Sequence, residues 1–328
     1  MQISLSLDVE SKKLFMLVCP ELTGKSIKQC LVEEFTFEDN ILSNDKLSIF
    51  SLIERFVIPK ITSLGLRPQQ VDINLSLPSQ MMAIDKLVVP SLNRNRTNES
   101  IKVQLKQTYR NYKDILVNVT NTTVSKTSRE FIVQLCKRDL IESMLKEFTS
   151  FGLQVRSINF DCVNIAQAIL KERPKLAKQT FIFARCLDGQ SVLGVCKAGE
   201  FVSYLNLNIG VKRCFAPSPE TLTIIKEAER KGKAIEVEET PEQTTATETF
   251  VNTDNLRYLS RYLVKLLEVY GLDTQIEFIL PKGYANEFDD LKVDLSLNTE
   301  QIELPNFDTH FELYGALLTK PFVANINL

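Results

Sequence analysis

The chain has 328 residues, 44% of them hydrophobic, enough to bury two ordinary cores. With 39 Lys+Arg against 41 Asp+Glu its formal net charge is -2, which excludes a general field strong enough to draw in nucleic acid or acidic lipid; either would need a local patch. Seven scattered cysteines (Cys19, Cys30, Cys136, Cys162, Cys186, Cys196, Cys214) include no C-x-x-C pair, so neither a disulfide framework nor a thiolate zinc site is expected, and with His310 the single histidine a multi-histidine metal site is excluded.

The opening MQISLSLDVESKK has no basic segment followed by an apolar core, and nowhere do eighteen apolar residues run together, so the expectation is a soluble, cytoplasmic protein. Residues 2–18 alternate apolar and polar around a break at 10–13, the pattern of a hairpin. Residues 45–64 have apolar positions at helical spacing, with Asp45 placed as N-cap, Pro59 as a kink and Gly65 as the stop. VDINLSL (71–77) then reads as a buried strand. From Pro78 the order is strand (MMAIDKLVVP), helix (NESIKVQLKQTYRNY), two strands (DILVNVTNTTV, REFIVQLC), helix (RDLIESMLKEFTSFG) and strand (LQVRSINFD). This β-α-β-β-α-β unit is expected to form one sheet with its helices on one face, as an insertion. A helix opened by Asp161 and a Lys/Pro-rich linker at 173–179 close the first half.

The second half begins with FIFARCLDGQSVLGVCKAGEFV, a strand meander whose turns are Asp188-Gly189 and Ala198-Gly199. SPETLTIIKEAERKG is helical in pattern. The polar, acidic, Thr-rich stretch that follows, about 232–253, is expected to be a mobile surface loop. NLRYLSRYLVKLLEVYG is an amphipathic helix with Tyr258, Tyr262 and Tyr270 on a half-buried face, IEFILP a buried strand and FELYGALLT a last helix. Arg94 and Arg96 in SLNRNRTNES are expected on a solvated loop, and His310 as a surface or capping residue at the last helix.

DINLSLPSQMMAIDKLVVP, RDLIESMLKEFTSFGLQVRSINFD and GEFVSYLNLNIG, in that order, resemble PilM, the actin-like cytoplasmic protein of type IV pilus assembly, and its relatives in MSHA-type pilus and type II secretion systems. The resemblance implies an α/β, actin-like (ribonuclease H-like) two-lobed fold with an inserted α+β subdomain in the first lobe. It places the first lobe at 1–77 and 156–176, the insertion at 78–155 and the second lobe at 177–328.

Actin-like ATPases bring backbone amides to phosphate at one hairpin per lobe, and glycines permit that approach. Where nucleotide-binding relatives carry Asp-x-Gly-Ser, this chain has Asp8-Val9-Glu10-Ser11: Asp8 and Ser11 remain, but Glu10 would set a like charge against phosphate. At the second hairpin Arg185, Cys186 and Leu187 stand where Asp-x-Gly is expected, and the late nucleotide loop keeps only Gly283 behind Pro281-Lys282. The resemblance with these departures implies a pseudo-ATPase with no cofactor and no metal. It implies a non-catalytic scaffold at the inner-membrane face, taking the cytoplasmic N-terminal tail of a single-pass inner-membrane assembly protein, with the assembly ATPase as a further partner and the membrane contact indirect. Two other readings stay open: a working actin-like ATPase binding Mg-ATP through atypical loops, with Arg185 meeting phosphate, and a cell-division actin-like protein, against which the short non-basic end TKPFVANINL argues.

Overall fold

The computed structural model describes residues 1–9, 11–19, 30, 32–38, 41–43, 46–124, 127–187, 189–211, 253–281, 299–304 and 307–318. Its first sheet is built from an antiparallel meander, β1 (Gln2–Asp8), β2 (Lys13–Cys19) and β3 (Val32–Thr36), extended on the other side of β1 by two parallel strands, β6 (Asp72–Leu77) and β10 (Gln154–Phe160). The strand order is β10-β6-β1-β2-β3. Alternation in β1 puts Ile3, Leu5 and Leu7 on one face and Ser4 and Ser6 on the other. Both faces are buried. Register aligns Ser4, Asn74 and Ser157 in one cross-strand row, and Ser6, Ser76 and Asn159 in the next. The Ser157 hydroxyl donates to Asn74 Oδ1 at 2.7 Å, and the Asn74 amide to Gln2 Oε1 at 3.3 Å, which offsets the desolvation of Ser157 and Asn74.

β3, VEEFT, lacks the apolar alternation that marks a strand in sequence. It is an edge strand tied by charge: Lys13 pairs with Glu34 at 2.6 Å, Lys60 pairs with Glu33, and Phe35 packs on Phe56 at 5.0 Å between ring centres. A two-residue hairpin, β4 (Leu42–Ser43) and β5 (Lys46–Leu47), precedes helix α1. That helix starts at Phe50, later than an Asp45 cap would put it, and Asp45 lies outside the described residues. Its first turn is capped from a distance, by Glu147, whose Oε2 accepts the Ile49 N–H at 2.7 Å. α1 runs as Phe50–Leu52, a π-helical turn Ile53–Val57, and Ile58–Ser63. Pro59 has no N–H to give the carbonyl four residues back, and the widened turn, with the Ile58 N–H bonded to the Ile53 carbonyl, absorbs the mismatch.

The insertion is β7 (Ala83–Pro90), α2 (Arg94–Thr108), β8 (Ile115–Val124), β9 (Ser128–Lys137) and α3 (Arg138–Ser150), with a three-stranded sheet of order β7-β9-β8. The sixth element of the expected unit departs from it. β10 pairs in parallel with β6 and so belongs to the first sheet, where Ile158 and Phe160 are buried. α2 begins at Arg94 because Asn93 caps it, accepting the Arg96 N–H at 3.0 Å; a solvated loop was expected there. Ile101 and Leu105 of α2 close a small core with Leu87, Val89, Val117, Phe131, Val133 and Leu135. Two main-chain groups of edge strand β7 are met by side chains: the Lys86 N–H by Asp85 Oδ1 at 2.7 Å, and the Val88 carbonyl by the Gln104 amide at 3.3 Å.

The remaining elements are α4 (Asp161–Glu172), β11 (Thr180–Cys186), β12 (Ser191–Lys197), β13 (Glu200–Leu207), α5 (Thr253–Tyr270), β14 (Gln275–Ile279), β15 (Thr299–Gln301) and α6 (Phe311–Leu318). The second sheet has the order β13-β12-β11-β14-β15. The chain divides into two units, one of Met1–Phe181, Gly194–Tyr204 and Ile302–Leu328, the other of Ile182–Leu193 and Leu205–Gln301. α6 therefore rejoins the first sheet, packing on α4, β1 and β6. The expected acidic loop, about 232–253, lies outside the described residues except for Thr253. Six cysteines are buried and none of them forms a disulfide; Cys214 lies outside the described residues.

α4 and α6 touch backbone to backbone. A Cβ built on Gly315 would lie 1.8 Å from the Asn164 carbonyl oxygen, a distance no relaxed side chain tolerates. Gly189, by contrast, has open space around its Cβ position. In urea unfolding, Gly315→Ala is expected to lose about 2–4 kcal/mol, while Gly189→Ala stays within about 0.5 kcal/mol of the parent. Equal losses at the two positions would contradict the helix crossing described.

Candidate functional site

Two hairpins and one turn carry the residues that sequence singled out. At the first hairpin Asp8 and Lys13 face each other in register across the loop 9–12. The Asp8 carboxylate accepts the Ser11 N–H at 2.9 Å, so the amide nearest the expected phosphate position is already committed to its own turn. Lys12 takes a left-handed backbone, φ 53°, where glycine is usual, and is held by Phe37 N–H on its carbonyl at 3.0 Å and by its own ammonium on the Glu38 carbonyl at 2.9 Å. Glu10 lies outside the described residues.

At the second hairpin the Leu187 N–H donates to the Gln190 carbonyl, and the Leu187 carbonyl accepts the Val211 N–H, both at 2.8 Å. The Ser191 hydroxyl donates to the Ile209 carbonyl at 2.6 Å, so residues 209–211 tie down the base of this turn. Arg185 is 6% exposed within β11, and Glu277, also buried, lies on the neighbouring strand β14. Gly283 and Asp188 lie outside the described residues. Among the described residues no cluster of His, Cys, Asp and Glu is arranged to hold a metal ion.

The turn that leads from β6 into the insertion is built more tightly than the sequence suggested. Ser79–Met81 forms a 3-10 turn beside the N-terminus of α4. One oxygen, Asp161 Oδ1, accepts the Ser79 N–H at 3.0 Å, the Ser79 hydroxyl, and the Cys162 N–H at 2.6 Å. A carboxylate here meets both the free amides and the positive end of the helix. Asp161 was expected as the N-cap; it stands at the first helical position and caps the Pro78–Met82 turn as well. On the far side, the Tyr204 hydroxyl shares its hydrogen between the carbonyls of Ser79 and Met82, each at 2.6 Å. Burial first, then the charges of Cys162 and Asp161, push Tyr204 up to about 12. No sequence signal picked out Tyr204, since a tyrosine within an alternating strand looks like any other.

His310 is placed at the mouth of α6, its carbonyl accepting the Leu313 N–H at 3.1 Å, but its ring is packed on Phe15 at 3.9 Å and faces Glu312 at 3.3 Å. It is not a surface histidine. Tyr258 and Tyr262 share a hydroxyl contact of 3.0 Å on the outer side of α5.

No family model and no curated protein matches the chain. Among solved structures, a chain of the PilM–PilN type IV pilus biogenesis complex matches with a TM-score of 0.65 and 11% identity over 97% of both chains. The fold is PilM-like. The cytoplasmic domain of EpsL, an inner-membrane component of the type II secretion system of Vibrio cholerae, matches with a TM-score of 0.50 and 10% identity, covering 97% of this chain and 95% of that one. The PilM-like fold is the α/β, actin-like one expected from the resemblance. No helix among the described residues is long and apolar enough to cross a membrane.

Below pH 10 Tyr204 stays protonated in both folded and unfolded chains and its hydrogen bond is fully present; as pH rises through about 12 the folded state resists ionisation and stability falls. Tyr204→Phe is expected to lose about 1–2 kcal/mol at pH 7.5 in urea unfolding and to show a shallower decline than the parent between pH 10 and 12. A variant with the parent's alkaline slope would show that Tyr204 is not part of the turn's lock.

Proposed function

We propose that this protein is a non-catalytic scaffold of a type IV pilus-type or related secretion machine, a pseudo-ATPase that uses an actin-like frame for its binding surfaces. Its partner is the short cytoplasmic N-terminal tail of a single-pass inner-membrane assembly protein, with the assembly ATPase as a second contact. The observation that carries the non-catalytic part is the commitment of the Ser11 and Leu187 amides to Asp8 and Gln190 within their own turns. A phosphate cradle needs such amides turned outward and unpaired, and glycine to let the oxygens approach. The partner assignment is supported by the fold shared with a chain of the PilM–PilN complex and with the EpsL cytoplasmic domain. The working-ATPase reading requires both turns to break their internal bonds before nucleotide could enter.

A ligand that binds only the native state raises the unfolding midpoint by mass action. Millimolar Mg-ATP is expected to leave the midpoint unchanged, while the tail peptide of a single-pass membrane protein encoded beside this one raises it by several degrees, read by thermal unfolding at pH 7.5. A rise with Mg-ATP overturns the pseudo-ATPase assignment. Silence with every neighbouring tail peptide overturns the partner assignment.

A further inference from the structure

Three lysines of the first unit are paired with carboxylates: Lys13 with Glu34, Lys60 with Glu33, Lys86 with Glu130. The segment that leaves α4 differs. Lys171 ends the helix, and a 3-10 turn, Pro174–Lys178, follows with Lys175 and Lys178 exposed. The β12–β13 hairpin tip is fastened to this turn, since the Ala198 N–H donates to the Gln179 carbonyl at 3.0 Å and Gly199 backs onto Ala177. That fastens the segment bearing exposed Lys197 to the turn bearing Lys178. Ala198 and Gly199 both take left-handed backbone, φ 51° and 81°, as a two-residue hairpin turn of the primed type demands.

None of these four lysines makes a hydrogen bond or ion pair with a described residue. Residues 171–178 and 197–200 hold five basic groups against Glu172 and Glu200, and Glu172 is occupied by the Tyr314 hydroxyl at 3.2 Å. The negative end of α4 accounts for Lys171 but not for the other three. On a chain of net charge -2 this is a local positive surface of the kind that composition alone left open.

We propose that Lys171, Lys175, Lys178 and Lys197 form a surface that lies against an anionic lipid bilayer. The chemistry selects a diffuse surface over a shaped ligand. Lysine is a compact charge on a flexible stem, without the planar fork that reads a single carboxylate or phosphate, and the only arginine, Arg173, is half-buried. The other exposed residues are Pro174, Ala177, Gln179 and Ala198, small or polar residues on a turn and a hairpin tip, and Glu172, whose carboxylate accepts the Tyr314 hydroxyl. Each lysine near an anionic leaflet is worth about fivefold in partitioning, so four give weak, salt-sensitive binding that supplements a protein anchor. The contact is independent of any protein partner and is tested without one.

The experiment is co-sedimentation of the full chain with vesicles of phosphatidylcholine alone or with about 30% phosphatidylglycerol, at about 50 and 300 mM salt. The K171Q/K175Q/K178Q/K197Q variant is compared with the parent and with K102Q/K106Q/K113Q/K146Q, which removes equal charge elsewhere. Exposed Lys→Gln changes leave folding within about 0.5 kcal/mol each, and melting temperatures check this. Expected are partition into the anionic vesicles only, a loss of about tenfold or more at the higher salt, and a similar loss in the first variant but not the second. The proposal is overturned by no partition at low salt, by equal losses in both variants, or by a polyglutamate peptide that binds the patch while anionic vesicles do not.

Discussion

One carboxylate oxygen, Asp161 Oδ1, sets where the chain can leave the first sheet and how it returns. β6 and β10 run parallel side by side, and their register places Leu77 opposite Phe160, so the next residues emerge together at one edge. Parallel ends expose like groups: a turn on one strand and a helix N-terminus on the other both present unpaired N–H groups. Asp161 accepts from both, and Tyr204 closes the opposite side by donating to the two carbonyls of the same turn. The insertion is thus attached at a point with little freedom to hinge.

The polar rows on the first sheet have a related role. Ser4, Ser6, Asn74, Ser76, Ser157 and Asn159 make a buried polar face of small and medium side chains, on which α4 packs. The Asn164 amide reaches Ser76 Oγ at 2.9 Å from α4, and α6 crosses α4 where Gly315 removes the last side chain in the way. The choice of serine and asparagine in strands, unfavourable by propensity alone, is explained by what must fit above them.

Much of this was legible in the sequence because it is local. Alternation gave β1 and β2, the Gly152 stop gave the end of α3 with its φ of 72°, and the order of elements from 83 to 150 followed from period changes. Three short strings carried the likeness to PilM, and in the structure each supplies one member of the same junction: Ser79, Asp161 and Tyr204. Their meeting could not be read, since residues 79, 161 and 204 are brought together only by sheet register. The same reason hid the start of α1, capped by Glu147 from 98 residues away, and β3, whose pairing rests on charges contributed by other elements. The pairing of β10 with β6 was not visible in its own alternation, and only the resemblance set 156–176 with the first lobe. At the candidate hairpins the sequence named the altered positions, while the use of the Ser11 and Leu187 amides needed coordinates.

The partly covered edge of β7 bears on how copies of this chain coexist at high concentration. A surface sheet with bare main-chain groups along its rim invites another strand, and growth of that kind has no natural end. Asp85 and Gln104 cover two of those groups, and Asp85 also accepts the hydroxyl of Tyr109, which packs on the insertion's core. A strand approaching this rim would find the Lys86 N–H and the Val88 carbonyl already taken.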